Sequence, residues 1–272
     1  MLNIQKVEGR DLPDAWFQTL FRILEEGSVF KIDRGSYAGQ KRLEFDWVEV
    51  HIKHPSTRPL LPYIEKHFSI PNPVEDDYLD DYLPYLMTGE VKPEEAYTYG
   101  QRLVRFPLDF SYLNPSNPDD IYLDELDELR DLGIIFYDKE FERECIDQIE
   151  LLIWTYKNKG YRNNQMILQV GGPGDMMLKD PPCLRQIDTR IQDGTLHFYP
   201  YFRSWDLWGG LPANLGGIQL LKEYVAGEIE VEDGEIIATS KGLHIYDYAF
   251  DLAKCLRMRD DMKLKGEEVE EC

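Results

Sequence analysis

Apolar residues recur at helical spacing over residues 12–26, where Trp16, Leu20, Ile23 and Leu24 mark one face. Pro13 suits the first turn and Gly27 the end, so the pattern predicts a helix there. Leu43, Phe45 and Trp47 then alternate, and Val48, Val50 and Ile52 alternate in the opposite phase. A period-2 pattern that slips by one residue predicts a strand with a β-bulge. Residues 119–132 and 139–157 read as two helices joined through Gly133, with Leu123, Leu126, Leu129, Leu132 and Ile146, Ile149, Leu152, Ile153 turned to a core. Residues 165–170 read as a strand ahead of a Gly171-Gly172-Pro173-Gly174 turn. Strands are predicted from Cys183 to Ile191 and from Thr195 to Trp205, turning at Asp193-Gly194. A helix over 210–226, a second hairpin over 228–240 around Asp233-Gly234, and a final helix from His244 to about Arg259 complete the pattern. Between residues 55 and 98 no period survives, because seven prolines from Pro55 to Pro93 and an acidic-aromatic run, Glu75 to Tyr82, interrupt it.

Composition narrows the class. With 272 residues, 43% of them hydrophobic, and no break in composition, the chain reads as one domain over residues 1–260 followed by a charged tail over 261–272, whose last ten residues are expected to fray. No apolar run approaches the ~18 residues of a membrane span, and residues 1–7 lack a signal-peptide pattern, so a cytoplasmic protein without a membrane partner is expected. A formal net charge of −21 repels nucleic acid, which removes that class of partner. It repels a nucleotide phosphate equally, so a nucleotide site needs its own arginines. Cys145, Cys183, Cys255 and Cys272 have no zinc-knuckle spacing and read as reduced thiols, with Cys145 and Cys255 inside helical patterns. His51 and His54 read as strand-edge residues without a third ligand, so no metal site is expected.

The candidate chemistry concentrates between Pro181 and Tyr246. Pro182-Cys183 precedes Arg203-Ser204-Trp205-Asp206, then Gly210-Leu211-Pro212-Ala213-Asn214, then His244-Ile245-Tyr246. An apolar core does not need a thiol, a guanidinium, a hydroxyl, a carboxylate and a carboxamide in this order, whereas a site for a phosphorylated base does. In this order and spacing the motifs resemble the active-site core of the thymidylate synthase family, and their wording is most similar to its divergent archaeal branch. Asp33-Arg34-Gly35-Ser36, after the first helix, resembles the family's phosphate loop, and Tyr99-Gly100-Gln101-Arg102 its Tyr-Gly motif.

The resemblance implies an α/β (α+β) fold, a bulged mixed sheet covered by helices in a single domain. It implies reductive methylation of dUMP to dTMP with 5,10-methylene-tetrahydrofolate or 5,10-methylene-tetrahydromethanopterin as co-substrate and no metal. Cys183 is then the nucleophile, and Arg203 lowers its pKa. Arg185, two residues along the strand, shares the face of Cys183. Arg34, Arg203 and Ser204 bind phosphate, Asn214 reads the base, and His244 and Tyr246 hold the deoxyribose 3′-hydroxyl. Asp206 contacts the pterin, and Gly210 and Tyr99 complete the substrate site. The family's base-organising glutamate falls in the aperiodic stretch, where Glu65 and Glu75 both qualify.

Three departures matter. Leu184 stands where the family often has histidine. The family's arginine doublet, which reaches across a homodimer to the partner's phosphate, is replaced by Asn163-Asn164 beside Arg162. Residues 265–272 do not resemble the family's apolar closing tail. The first leaves the covalent chemistry intact, and the second leaves both monomer and dimer open. A pyrimidine nucleotide 5-hydroxymethylase acting on dUMP, dCMP or CMP, and a non-catalytic nucleotide-binding protein, are the alternative readings.

Overall fold

The structure, a computed structural model, describes residues 1–33, 37–111 and 123–267. Arg34 lies outside them. The strands are β1 (Ile4–Gly9), β2 (Ser28–Lys31), β3 (Lys41–Glu44), β4 (Trp47–Ile52), β5 (Phe106–Pro107), β6 (Ile135–Asp138), β7 (Arg143–Ile146), β8 (Ile167–Gln169), β9 (Leu184–Gln192), β10 (Thr195–Phe202), β11 (Trp205–Asp206), β12 (Glu232–Ser240) and β13 (Leu243–Tyr246). The helices are α1 (Leu12–Glu26), α2 (Tyr78–Leu86), α3 (Tyr99–Val104), α4 (Leu123–Asp131), α5 (Gln148–Lys159), α6 (Gly210–Glu228) and α7 (Phe250–Leu256).

Six strands form the main sheet in the order β1-β4-β12-β10-β9-β8, with β1 parallel to β4, β12 parallel to β10, and the other pairs antiparallel. Its register slips between Leu196 and Phe198 and again between Tyr201 and Phe202. One face, carrying Val48, Val50, Ile52, Leu196, Phe198, Phe202, Ile236 and Ala238, is fully buried, and α1, α5 and α6 pack against this sheet. Burying each such side chain contributes roughly 1.5–3 kcal/mol. The expected mixed, bulged α/β fold is therefore present.

Helix α1 starts and stops as its sequence dictates. The Asp11 side chain accepts from Asp14 N at 3.0 Å, and Gly27 N closes the last turn on Ile23 O at 2.8 Å. Helix α6 is apolar nearly all round because it runs through the interior, between the sheet and α2. At Gly216 a side chain would run into Leu79, and at Gly217 into the ring of Tyr82. This glycine pair lets α2 lie directly on α6 and brings Tyr82 to Asn214.

Several expectations need correcting. The phase slip at Trp47–Val48 is not a bulge. The chain leaves a second sheet (β11-β13-β3-β2) at Phe45-Asp46 and enters the main one as β4, with Phe45 N bonded to Leu243 O and Trp47 N to Asn3 O. The helix expected from 139 begins only at Gln148, because Asp147 accepts from Ile149 N and Glu150 N at 3.0 Å and sets its start. Cys145 thus sits on β7, buried. No hairpin spans 228–240: α6 continues to Glu228, and Gly234 sits in β12 where any Cβ would lie 2.6 Å from Leu196 O. His244 lies on β13, whose burial on both faces imitates a helix in sequence, and the last helix begins at Phe250. His51 is on an interior strand, its Nε2 2.6 Å from Glu235. The fraying expected of the last ten residues does not hold at the start of that stretch. Leu264 is buried, and Val29 N donates to Lys265 O at 2.8 Å.

Lys222 of α6 is fully buried and donates to Gly234 O, plugging a carbonyl at the β10–β12 slip. Its Nζ is 3.3 Å from Asp233 Oδ1, an ion pair short of hydrogen-bond geometry. Burial pushes the ammonium down to about 8, against the pull of Asp233. Its folded-state value lies below the 10.5 of a free lysine. Between these values the unfolded chain binds the extra proton, so this group makes stability rise with pH. Lys222→Met, which removes the cation beside buried Asp233 Oδ1 and the donor to Gly234 O, should destabilise the fold by about 3 kcal/mol in urea denaturation at pH 7. The variant should also lose the alkaline rise; an unchanged pH profile would contradict this account.

Candidate active site

Tyr99 opens α3, where the Thr98 hydroxyl caps the helix by accepting from Gln101 N at 2.9 Å. Gly100 follows because any side chain there would strike the Tyr85 carbonyl. The Tyr99 hydroxyl accepts from Leu184 N at 3.3 Å, and Tyr85 OH accepts from Tyr99 N at 3.3 Å. Arg102 donates to buried Asp175 at 2.9 Å and lies 5.6 Å from the centre of the Tyr97 ring. Arg185 turns to the same carboxylate at 3.0 Å and to Gly172 O at 3.2 Å. It is committed there, correcting the expectation that it meets Cys183. Burial pushes the Asp175 carboxyl up, but Gly172 N–H and both guanidiniums outweigh that and hold it below the usual range.

Cys183 is partly buried at the entry to β9, and its carbonyl accepts from Arg203 N at 2.8 Å. The Arg203 guanidinium wraps the preceding loop. Its Nε lies 3.2 Å from both Pro181 O and Pro182 O, and Nη2 reaches Pro181 O at 2.5 Å and Asp180 at 3.3 Å. Burial pushes the Cys183 thiol up, Arg203 pulls it down, and Asp180 and Asp206 push it further up. Arg203 acts in the expected direction, and burial outweighs it. Removing that charge in Arg203→Gln should raise the midpoint of the pH profile for iodoacetamide labelling of Cys183, read by peptide mass spectrometry. Labelling at pH 8 should slow about three- to tenfold. An unchanged or lower midpoint would remove Arg203 from the thiol's surroundings.

Asp206 accepts from Trp208 N at 3.2 Å through one oxygen and from Gly209 N and Gly210 N at 3.0 and 2.9 Å through the other. It anchors the entry to α6, where the free N–H groups favour an anion. The Gly210 amide, the group a glycine could offer a ligand, is thus taken. The Ser204 hydroxyl and Arg203 Nη1 have no partner among the described residues.

His244 is buried, its Nδ1 2.8 Å from Gly242 O. A carbonyl only accepts, so Nδ1 carries the proton and Nε2 is a bare acceptor, buried and unpartnered among the described residues. Burial pushes the imidazole pKa down, keeping it neutral. Tyr246 stacks on Tyr37 at 4.4 Å, and burial raises its phenol to about 12. Cys183 and Asp206 both influence that phenol, so the strand ends carrying these residues converge.

A cavity of about 690 Å³ is lined by Tyr78, Tyr82, Tyr85, Tyr97, Tyr99, Glu75, Asp77, Asp81 and Asn214. Asn214 Oδ1 accepts from Trp205 Nε1 at 3.1 Å, and Nδ2 donates to Tyr82 OH at 2.8 Å. Cys183 does not line this cavity but touches its wall through the Leu184–Tyr99 bond. Burial raises Tyr97 to about 12, with Asp180 and Cys183 adding to the shift. The structure thus groups Tyr99 with Asn214, Cys183 with Arg203, and Asp206 with His244 and Tyr246. Tyr82, Tyr97 and Trp205 were missed as site residues; Tyr78, Tyr82 and Tyr85 at helical spacing were the signal available.

Arg162, Asn163 and Asn164 line another cavity, of about 450 Å³, with Arg190 and Asp193. That is the far end of β9, about 30 Å along the strand from Cys183. Among the described residues no group of three or more His, Cys, Asp or Glu is arranged to hold a metal ion, and no helix is long and apolar enough to cross a membrane.

A family model described as thymidylate synthase matches residues 90–267. A Methanosarcina acetivorans protein described as "Putative thymidylate synthase" is 29% identical over 91% of this chain and 92% of its own length. A Methanosarcina barkeri protein of the same description is 28% identical over 91% and 92%. A Listeria monocytogenes protein described as "Thymidylate synthase" is 31% identical over 46% of this chain and 40% of its own.

Proposed function

This chain belongs to the thymidylate synthase family, resembling its archaeal branch, and from that premise we propose that it methylates dUMP reductively to dTMP with Cys183 as nucleophile. The observation that carries the reading is the hydrogen bond from Leu184 N to Tyr99 OH at 3.3 Å. It ties the backbone beside the thiol to the wall of a cavity that Asn214 also lines.

Carbon 5 of uracil is a poor nucleophile. The Cys183 thiolate adds to C6, forming an S–C bond as the C5–C6 double bond opens and its electron pair moves towards O4. C5 then carries the negative charge that attacks an electrophilic carbon. Later C5 loses its proton, the S–C bond breaks, and the double bond re-forms. Arg203 Nη1 and Ser204 take the phosphate, joined by Arg34, which lies outside the described residues. Neutral His244 accepts the 3′-hydroxyl proton at Nε2, and Tyr246 donates to the same oxygen.

A reduced pterin fits the cavity by the chemistry of its lining. Tyrosine faces can stack on a flat ring, and Glu75, Asp77 and Asp81 can accept its amino and N–H protons, with Asp206 reaching it from the α6 entry. When bound, it supplies the one-carbon unit and the hydride that makes it a methyl. Methylene-tetrahydrofolate and methylene-tetrahydromethanopterin share the ring that this lining addresses. We place the enzyme in the cytoplasm, where unpaired Cys145, Cys183 and Cys255 suit a reducing compartment.

All the phosphate ligands named belong to one chain, and Arg162 lies too far along β9 to serve its own site. We therefore take the site as complete in one chain, within one domain over residues 1–260. dUMP affinity should stay constant as any dimer is diluted apart in sedimentation experiments. A collapse would place a partner residue in the site. The function itself is tested by incubating the protein with 5-fluoro-dUMP and each methylene carrier. A covalent adduct on Cys183, found by mass spectrometry, supports the reading, and its absence with both carriers leaves only a binding protein. A hydroxymethyl rather than methyl product from dUMP would replace methylation with hydroxymethylation.

A further inference from the structure

A carboxamide by itself cannot tell uracil from cytosine. Uracil offers a donor at N3 and an acceptor at O4; cytosine offers an acceptor at N3 and a donor at N4. Rotating the amide by half a turn exchanges its oxygen and its NH₂, so a free asparagine reads either base equally well. Discrimination needs a neighbour that forbids one orientation, and Asn214 has such a neighbour. Trp205 Nε1 lies 3.1 Å from Asn214, and an indole nitrogen only donates, so the atom it meets must be Oδ1. Trp205 is itself immobile, 1% exposed and stacked on Phe202 at 4.1 Å with the rings 6° from parallel.

The second partner differs in kind. Tyr82 OH lies 2.8 Å from Asn214 Nδ2, held there by the close contact of its ring with Gly217. A phenol both donates and accepts, so it would satisfy the amide in either orientation. Only the indole imposes a direction. With both bonds made, Asn214 has one oxygen lone pair and one N–H left, the complement of uracil N3–H and O4. A reversed amide would set NH₂ against the N–H of the buried indole, donor against donor.

Resting on the reading of this site as one for a pyrimidine nucleotide, we propose that Trp205 is the positioning residue that sets its uracil specificity, acting through the orientation of Asn214.

Equilibrium binding of dUMP and dCMP, measured by calorimetry on the intact protein, tests this without relying on turnover. The wild type should prefer dUMP. Trp205→Phe, which keeps a ring over Phe202 but removes the donor, should lower the dUMP/dCMP affinity ratio by about tenfold or more. If that variant fails to fold, benzothienylalanine at position 205 keeps the bicyclic shape with sulfur in place of N–H and should give the same fall. Tyr82→Phe should weaken both nucleotides alike and change the ratio by less than about threefold. A ratio within about twofold of wild type in a folded protein lacking the indole N–H overturns the proposal while leaving the nucleotide reading intact, as does a wild type that prefers dCMP. A wild type that binds neither nucleotide overturns both.

Discussion

Cys183→Ala should reduce dTMP formation by about 10⁴-fold or more while dUMP still binds within a few-fold of wild type. The asymmetry follows from where the thiol acts. It makes no phosphate, sugar or base-edge contact in the proposed complex, so removing it leaves ground-state binding intact. C5 cannot attack at all until C6 carries a nucleophile, so no slower parallel route on the same protein replaces it. Cys145 cannot substitute, being buried on β7 of a separate sheet with its thiol pushed up by burial. The same thiol sets a pH profile. Burial holds Cys183 above the ordinary cysteine value of 9.0 despite Arg203, so the resting enzyme carries little thiolate at neutral pH. Because kcat/KM reports groups of the free enzyme, it should rise about tenfold per pH unit between pH 7 and 8.5. A flat profile there would mean the thiol is already ionised, and residual turnover within tenfold of wild type in Cys183→Ala would end its assignment as nucleophile.

What could be read from the sequence, and what could not, divides by the range of the interactions concerned. Cys183, Arg203, Asp206 and Asn214 lie within one strand–turn–strand–turn–helix passage, so sequence spacing carries most of their geometry. Asp193-Gly194 turned as expected because both residues adopt positive φ, 53° and 78°, which such a tight hairpin requires. Tyr82 and Tyr97 escaped notice because their roles come from long-range packing. Tyr82 reaches Asn214 across 132 residues only because Gly217 leaves room for its ring. Prolines and acidic side chains hid α2, although Tyr78, Tyr82 and Tyr85 keep helical spacing inside it. Trp205 stood inside a recognised motif, yet its N–H acquires meaning only once Asn214 folds back to meet it. The strand carrying His244 was misread for a related reason. A strand covered on both faces has no alternation, so pattern alone cannot separate it from a buried helix.

Asn214→Asp should shift the ratio of dUMP to dCMP turnover, as kcat/KM, by about 10²- to 10³-fold towards dCMP. The surroundings can hold the new side chain where the amide was. Trp205 Nε1 donates to one carboxyl oxygen as it now does to Oδ1, and the Tyr82 hydroxyl, which accepts from Nδ2 at present, turns its own proton to the other. That second oxygen then faces the position where uracil presents O4, acceptor against acceptor, and dUMP loses a hydrogen bond while meeting repulsion. Cytosine presents N4–H there instead, which the oxygen accepts. Its N3, an acceptor, faces the first oxygen and is satisfied only if that carboxyl carries a proton. The gain for dCMP should therefore grow as pH falls from 8 to 6 and fade as it rises, a dependence that wild type, with its neutral amide, should lack. If the variant's dUMP/dCMP ratio matches wild type across that range, Asn214 does not read the base edge, and neither does anything positioned through it.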